Sequence, residues 1–184
     1  AFTGGSSGSI DVSKAWPNGF DKIVALAAHN GFLIIFGEKN TLIYEGASSP
    51  ASMSLSDTIT GVGCVDRNTV QSIGTDLLFL SQDGLRSLGR AVQEKSLPIT
   101  DLSRNIKQEL IALILSNTSP MHSVYSPENY FYLLGIRDSD VVFCFDLRGQ
   151  LENGSYRVTR WTTNKFKSFS RDRNGDLYIG STDG

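Results

Sequence analysis

A chain of 184 residues with 40% hydrophobic and 20% charged residues and a formal net charge of -2 has the balance of an ordinary globular protein. That charge gives no strong field of either sign, so obligatory nucleic-acid binding is not indicated, and no apolar run approaches the roughly 18 residues of a membrane-spanning helix. No signal peptide opens the sequence. The two cysteines, Cys64 and Cys144, sit in apolar strand-like stretches without histidine partners. That setting favours buried free thiols over a disulfide or a zinc site.

Residues 1–19 read as a flexible lead-in, because TGGSSGS is rich in glycine and serine. Gly4 to Gly8 formally match G-x-S-x-G, but a nucleophile elbow needs a strand before it and a helix after it, and neither pattern is present. Trp16-Pro17-Asn18-Gly19 then turns the chain into residues 20–184, where one unit recurs: an apolar strand, a tight polar turn and a second strand. In the first unit, near 23–46, Ile23, Ala25 and Ala27 share a face, and Asn30-Gly31 forms a two-residue hairpin turn. Phe32 to Phe36 is continuously apolar, as expected of a strand covered on both faces, and Gly37 opens the turn into Thr41–Tyr44. The second unit, near 62–90, runs through Val70, Ile73, Gly74, Leu77, Phe79 and Leu80, turns at Gln82-Asp83-Gly84 and returns through Leu85 and Leu88.

A helix is predicted over 101–115, where Leu102, Ile106, Leu110 and Leu113 recur at helical spacing and Asp101 stands at the N-cap. It reads as a helix packed on the rim of the sheets, with docking to a neighbouring subunit as the sharper alternative. The third unit, near 121–149, places YFYLLGI and VVFCFDL around Arg137-Asp138-Ser139-Asp140. The fourth, near 157–184, follows Trp161 and turns at Arg173-Asn174-Gly175.

The unit starts are separated by roughly 45–55 residues, the period of a propeller blade rather than of a helical repeat. The predicted fold is therefore all-β: a β-propeller segment of about four blade-like antiparallel units with one helical insertion. A blade cannot bury its apolar face alone, so the repeat predicts a ring or part of one. The last turn is not followed by another strand, which predicts a piece of a longer polypeptide. Gly31, Gly37, Gly74, Phe79, Asp83, Gly84, Trp161 and Gly175 are the positions expected to define this fold.

Chemistry is sparse. Asp172, Asn174 and Asp176 stand at the first, third and fifth positions of an EF-hand-like loop, but Leu177 occupies the glycine position and Asp183 replaces the bidentate glutamate. A turn with Asx hydrogen bonds accounts for the same residues. His29 lies beside a turn, His122 follows Pro120 in a loop, and the carboxylates form no evident catalytic pair. No enzymatic activity and no cofactor are expected. The sequons at Asn117 and Asn153 carry meaning only in a secretory setting. One stretch stands out. Arg157, Arg160, Lys165, Lys167, Arg171 and Arg173 alternate with Trp161, Phe166 and Phe169, and Asp172 is the single acid among them. It reads as a solvated strand face, with contact to DNA or to another subunit as the functional alternatives.

The line IVALAAHNGFLIIFGEKNTLIYEG is followed by a stretch carrying Gly63, Cys64, Val70, Gln71, Gly74, Asp76, Leu77, Phe79, Leu80, Ser81, Asp83, Gly84 and Leu85. Together they resemble the tail nozzle of short-tailed bacteriophages, also called tail tubular protein B, and the related packaged-DNA stabilisation proteins. The resemblance spans about residues 20–90 and continues more loosely through the helix and the third unit. It implies a structural virion protein, assembled in the host cytoplasm and located in the phage tail. The implied partners are other copies in a six-fold ring, tail adaptor or portal-proximal proteins, and genomic DNA passing through the channel, with no membrane. Members of that family are several times longer and carry a platform domain. Two other classes stand beside this one: a propeller module binding a receptor, glycan or peptide, and a propeller-type lyase or glycosidase, for which the sequence offers no residue pair.

Overall fold

The computed structural model describes residues 10–95 and 101–182, and the chain divides into two units, residues 1–63 and 64–184. In the first unit the alternation of apolar residues sets up a four-stranded antiparallel meander: β1 (Ile23–His29), β2 (Phe32–Gly37), β3 (Thr41–Glu45) and β4 (Ser54–Ile59). Asn30 and Gly31 adopt φ of 48° and 81°, so the β1–β2 turn needs two left-handed residues in succession. Asn and Gly tolerate that conformation best. β4 lies beyond the expected end of the first unit; Ser-Leu-Ser-Asp-Thr is too polar and exposed to show a core face in the sequence.

Leu33, Ile35, Leu42 and Tyr44 form one face of this sheet and pack under Trp16, which is only 5% exposed. The part of the lead-in that the structure describes is thus a packed segment. A 3-10 turn at Ser13–Ala15 delivers the indole to the sheet, where burial of so large an apolar surface anchors the segment. Asp21 fixes the β2–β3 turn. Its carboxylate accepts five hydrogen bonds, from the backbone N–H of Lys22, Glu38, Lys39 and Asn40 and from Asn40 Nδ2, at 2.8–3.1 Å. Burial pushes the Asp21 carboxyl upward, but these donors outweigh it and hold the group below its ordinary value. Gly37 lies against that carboxylate, where a Cβ would stand 2.5 Å from Oδ2.

The second unit begins with a three-stranded sheet, β5 (Gln71–Ser72), β6 (Leu77–Ser81) and β7 (Gly84–Ser87), in which Phe79 is fully buried. Gly74, with φ of 87°, turns the chain between β5 and β6. Asp83 lies in the β6–β7 turn, donates its N–H to Ser81 Oγ at 3.2 Å and stands 4.0 Å from Arg86. At Gly84 φ is 122°, and a Cβ would stand 2.3 Å from Ser103 Oγ, so this position excludes any side chain. Leu88 departs from the expected strand and opens a short helix, α1 (Leu88–Gln93). Ser87 caps it by accepting from Arg90 N, and the Asp76 carboxylate accepts from Gly89 N at 2.9 Å, so capping ends the strand there.

The predicted helix over 101–115 is α2 (Lys107–Ser116), preceded by a 3-10 turn at Arg104–Ile106. Asp101 is not its N-cap. Asp101 Oδ1 instead accepts from the N–H and hydroxyl of Ser103 at 2.9 and 2.6 Å, and Ser103 Oγ in turn accepts from Leu85 N. The side chain that looked like a helix cap therefore ties the incoming loop to β7.

The third sheet has four strands in the order β11-β10-β9-β8: β8 (Met121–Ser126), β9 (Phe131–Ile136), β10 (Val141–Gln150) and β11 (Tyr156–Thr162). β11, placed by sequence in the fourth unit, pairs with β10 from Val141↔Thr162 to Gln150↔Tyr156. The fourth sheet is then the hairpin β12 (Ser168–Arg171) and β13 (Leu177–Gly180), whose turn carries Gly175 at φ 95°. Trp161 belongs to the third sheet, half-buried on β11.

Period-2 alternation buries both faces of the third sheet. Tyr132, Leu134, Phe143 and Phe145 point to a cluster shared with Leu78, Leu80 and Leu85 of the second sheet and Leu110 of α2. Leu133, Val142 and Cys144 point the other way, to Phe166, Phe169, Leu177 and Ile179 on and before the hairpin. The outward backbone groups of edge strand β8 are closed by side chains at every second residue. Met121 N donates to Asp66, while Ser123 O accepts from Gln71 and Tyr125 O from Arg171. This covers an edge that would otherwise invite another strand.

Candidate interaction surface

The basic stretch lies on β11, the following loop and β12, and the structure sets acidic residues from other elements against most of it. Arg160 Nη2 is 2.9 Å from Glu109 of α2 and stands over the Phe143 ring at 6.0 Å. Lys165 Nζ is 3.6 Å from Asp140, and Lys167 pairs with Asp138. Arg171 donates to both Glu128 oxygens at 2.9 and 3.2 Å. The Lys167 hydrogen bond holds the Asp138 carboxyl below its ordinary value. Arg173 is exposed at the tip of the β12–β13 turn. The stripe that reads as a run of like charge is therefore largely neutralised in the fold, and its exposed pairs contribute little each to stability.

Arg157 belongs to a different arrangement. Register places Phe131, Asp146 and Arg157 in one row across β9, β10 and β11, on one face of the sheet. Arg148 reaches back over this row, donating Nε to Asp146 Oδ1 at 2.8 Å and Nη2 to Oδ2 at 2.5 Å, with its guanidinium 5.5 Å from the Phe131 ring centroid. Those hydrogen bonds from Arg148, helped by the charge of Arg157, lower the Asp146 carboxyl to about 2. Trp161 lies on the same face of β11 as Arg157 and meets Phe131 edge to face, with ring centroids 6.1 Å apart. A groove of about 360 Å³ opens beside the row, lined by Asp146, Arg148, Gly149, Gln150, Leu151 and Arg157. Arg90 of α1 reaches it by donating to Gln150 Oε1 at 2.7 Å. In the sequence, Phe131, Asp146, Arg148 and Arg90 carry no signal of belonging together, since only strand register and the bulge between Asp146 and Gln150 join them.

The other sequence candidates are turns and core positions. Asp172 Oδ1 accepts from the N–H of Asn174 and of Asp176, both at 2.9 Å, which is an Asx turn. Among the described residues no group of three or more His, Cys, Asp or Glu is placed to hold a metal ion. His29 Nε2 is 3.1 Å from Asn30 Nδ2 at the hairpin turn. His122 is on strand β8 rather than in a loop, 6.3 Å from the Phe166 ring. Cys64 and Cys144 are free and buried, and burial pushes both thiols up to about 11. Gly4 to Gly8 lie outside the described residues. No described helix is long and apolar enough to cross a membrane.

The class that fold and surface define is a mainly β protein of antiparallel sheets with a cationic and aromatic patch on the third sheet. No protein-family model and no curated protein matches the chain. Among solved structures it is similar to KlHsv2 with loop 6CD replaced by a Gly-Ser linker, at a TM-score of 0.43 and 13% identity over 90% of this chain. The chain spans 61% of the length of that solved chain, and a likeness of this size assigns no function.

Proposed function

We propose that the chain is a structural virion component: a β-propeller segment of a short-tailed phage tail nozzle that contributes to the genome-exit channel. The observation that carries this reading is the burial of both faces of the third sheet between the second and fourth, since blade-like meanders stacked face to face build a ring wall. The resemblance of residues 20–90 to the nozzle family supports the same assignment. In this reading function rests on packing and on contacts with further copies and with adaptor or portal-proximal proteins. The neutralised basic stretch fits a wall that DNA passes without being held.

Quantitative peptide mass spectrometry on purified DNA-filled particles tests it. The expected result is peptides of this chain in fixed ratio to the portal subunit, with antibodies to it labelling the tail. Particles lacking the chain would overturn the proposal.

A further inference from the structure

The row of Phe131, Asp146 and Arg157 combines three features. The first is uncompensated positive charge. Arg90, Arg148 and Arg157 converge on a groove whose lining holds one carboxylate, Asp146, and Arg148 already occupies that carboxylate through two hydrogen bonds. Arg157 therefore faces a partner that is already satisfied, and its donors remain available for an incoming anion. The second is an aromatic platform on the same face of the sheet. Arg148 covers Phe131, and Trp161, which meets Phe131 edge to face and packs half-buried against the cluster of Leu133, Val142 and Phe166, keeps part of its ring exposed as the surface to stack on. The third is rigidity: every member except Arg90 is carried by β9, β10 or β11, so the spacing is fixed before any ligand arrives.

We propose that this patch binds single-stranded nucleic acid, with Arg157 on a phosphate and an unpaired base stacked on Trp161. A phosphate track beside an aromatic face is the arrangement such binding needs. A duplex offers its phosphates but keeps its bases stacked inside, so it could use only half of the patch. The inference goes beyond the virion reading and does not depend on it.

The test is fluorescence anisotropy of a labelled oligothymidylate titrated with the full chain, and with the Arg157→Gln, Trp161→Ala and Lys167→Gln variants. Circular dichroism and unfolding midpoints confirm that each is folded. Arg157→Gln removes an exposed side chain, so it remains informative if Trp161→Ala destabilises the sheet. Trp161→Ala is expected to weaken binding roughly tenfold, the size of one lost stacking contact. Arg157→Gln should weaken it several-fold and lower the salt slope by about 0.7, one phosphate contact on a single strand. Lys167→Gln, whose lysine is already paired with Asp138, should bind as the parent does. Three results would overturn the proposal. One is no binding at low salt. Another is an equal loss for Lys167→Gln and Arg157→Gln, which would mean diffuse charge. The third is equal affinity for a duplex or a heparin fragment with no effect of Trp161→Ala, which would mean a general polyanion surface. Particle association is a separate readout, so either idea can fail without the other.

Discussion

The Phe166 ring lies over the Cα of Gly135, so closely that a Cβ at Gly135 would stand 2.5 Å from Phe166 Cε1. Phe166 is fully buried and precedes the hairpin β12–β13, while Gly135 is the last but one residue of β9. This contact helps to seat the fourth sheet on the third, because a missing side chain in one sheet receives a ring from the segment leading into the next. Phe166→Ala should cost about 3–5 kcal/mol. Gly135→Ala should lift the ring and loosen the hairpin. Hydrogen exchange is the measurement: Ser168–Arg171 and Leu177–Gly180 should lose protection in both variants while β6 keeps it.

Phe79 is fully buried on β6 in the second sheet. Phe79→Ala should likewise cost about 3–5 kcal/mol, read as a lowered urea midpoint. An unchanged midpoint would contradict its place in the core.

The Asp21 carboxylate gathers five donors around the β2–β3 turn. Asp21→Asn turns one acceptor oxygen into a donor that faces N–H groups, so a buried turn is left with unmatched donors. A loss of about 1.5–3 kcal/mol is expected from urea unfolding, the range for hydrogen bonds to a charged group.

Acid sensitivity follows from the same carboxylates. Asp146 is lowered to about 2 by Arg148, and Asp21 is also below its ordinary value, whereas an unfolded aspartate titrates near about 3.9. A depressed folded value means the unfolded chain binds protons first. The stabilisation is thus complete above about pH 5 and is lost as pH falls through about 4 toward 2. Urea midpoints should fall across that window, and Asp146→Asn should flatten the fall; a midpoint independent of pH there would contradict the geometry at both sites.

Cys64 and Cys144 are 1% and 2% exposed, and burial raises both thiols to about 11. Thiolate is the reactive form, so Ellman's reagent should label neither in the native protein and both in denaturant. Prompt native labelling would show that β10 around Cys144, or the loop that buries Cys64, opens readily.

The sequence by itself determined most of the strands. Asn30-Gly31 and the apolar runs Phe32–Phe36, Leu77–Leu80 and VVFCF are local signals, because turn geometry and period-2 burial act between neighbours in the chain. It also located the end of α2 to within one residue, while the expected start at 101 falls six residues before the helix begins at Lys107. Where polar side chains do long-range work, local signals misled. Asp101 looks like a helix cap but bonds Ser103 beside β7, and Leu88 reads as strand until Asp76 and Ser87 cap a helix there. Tyr156–Thr162 changed sheets because only pairing with β10 distinguishes it from the start of another unit. The tertiary structure alone decided the surface. Acids from the β8–β9 turn, α2 and the β9–β10 turn neutralise most of a stripe that is nearly all basic in sequence, and register across three strands assembles Phe131, Asp146 and Arg157. Charge compensation and ring contacts depend on distance in space, and residues 11 or more positions apart in the chain, as Asp146 and Arg157 are, carry no record of that distance until the strands pair.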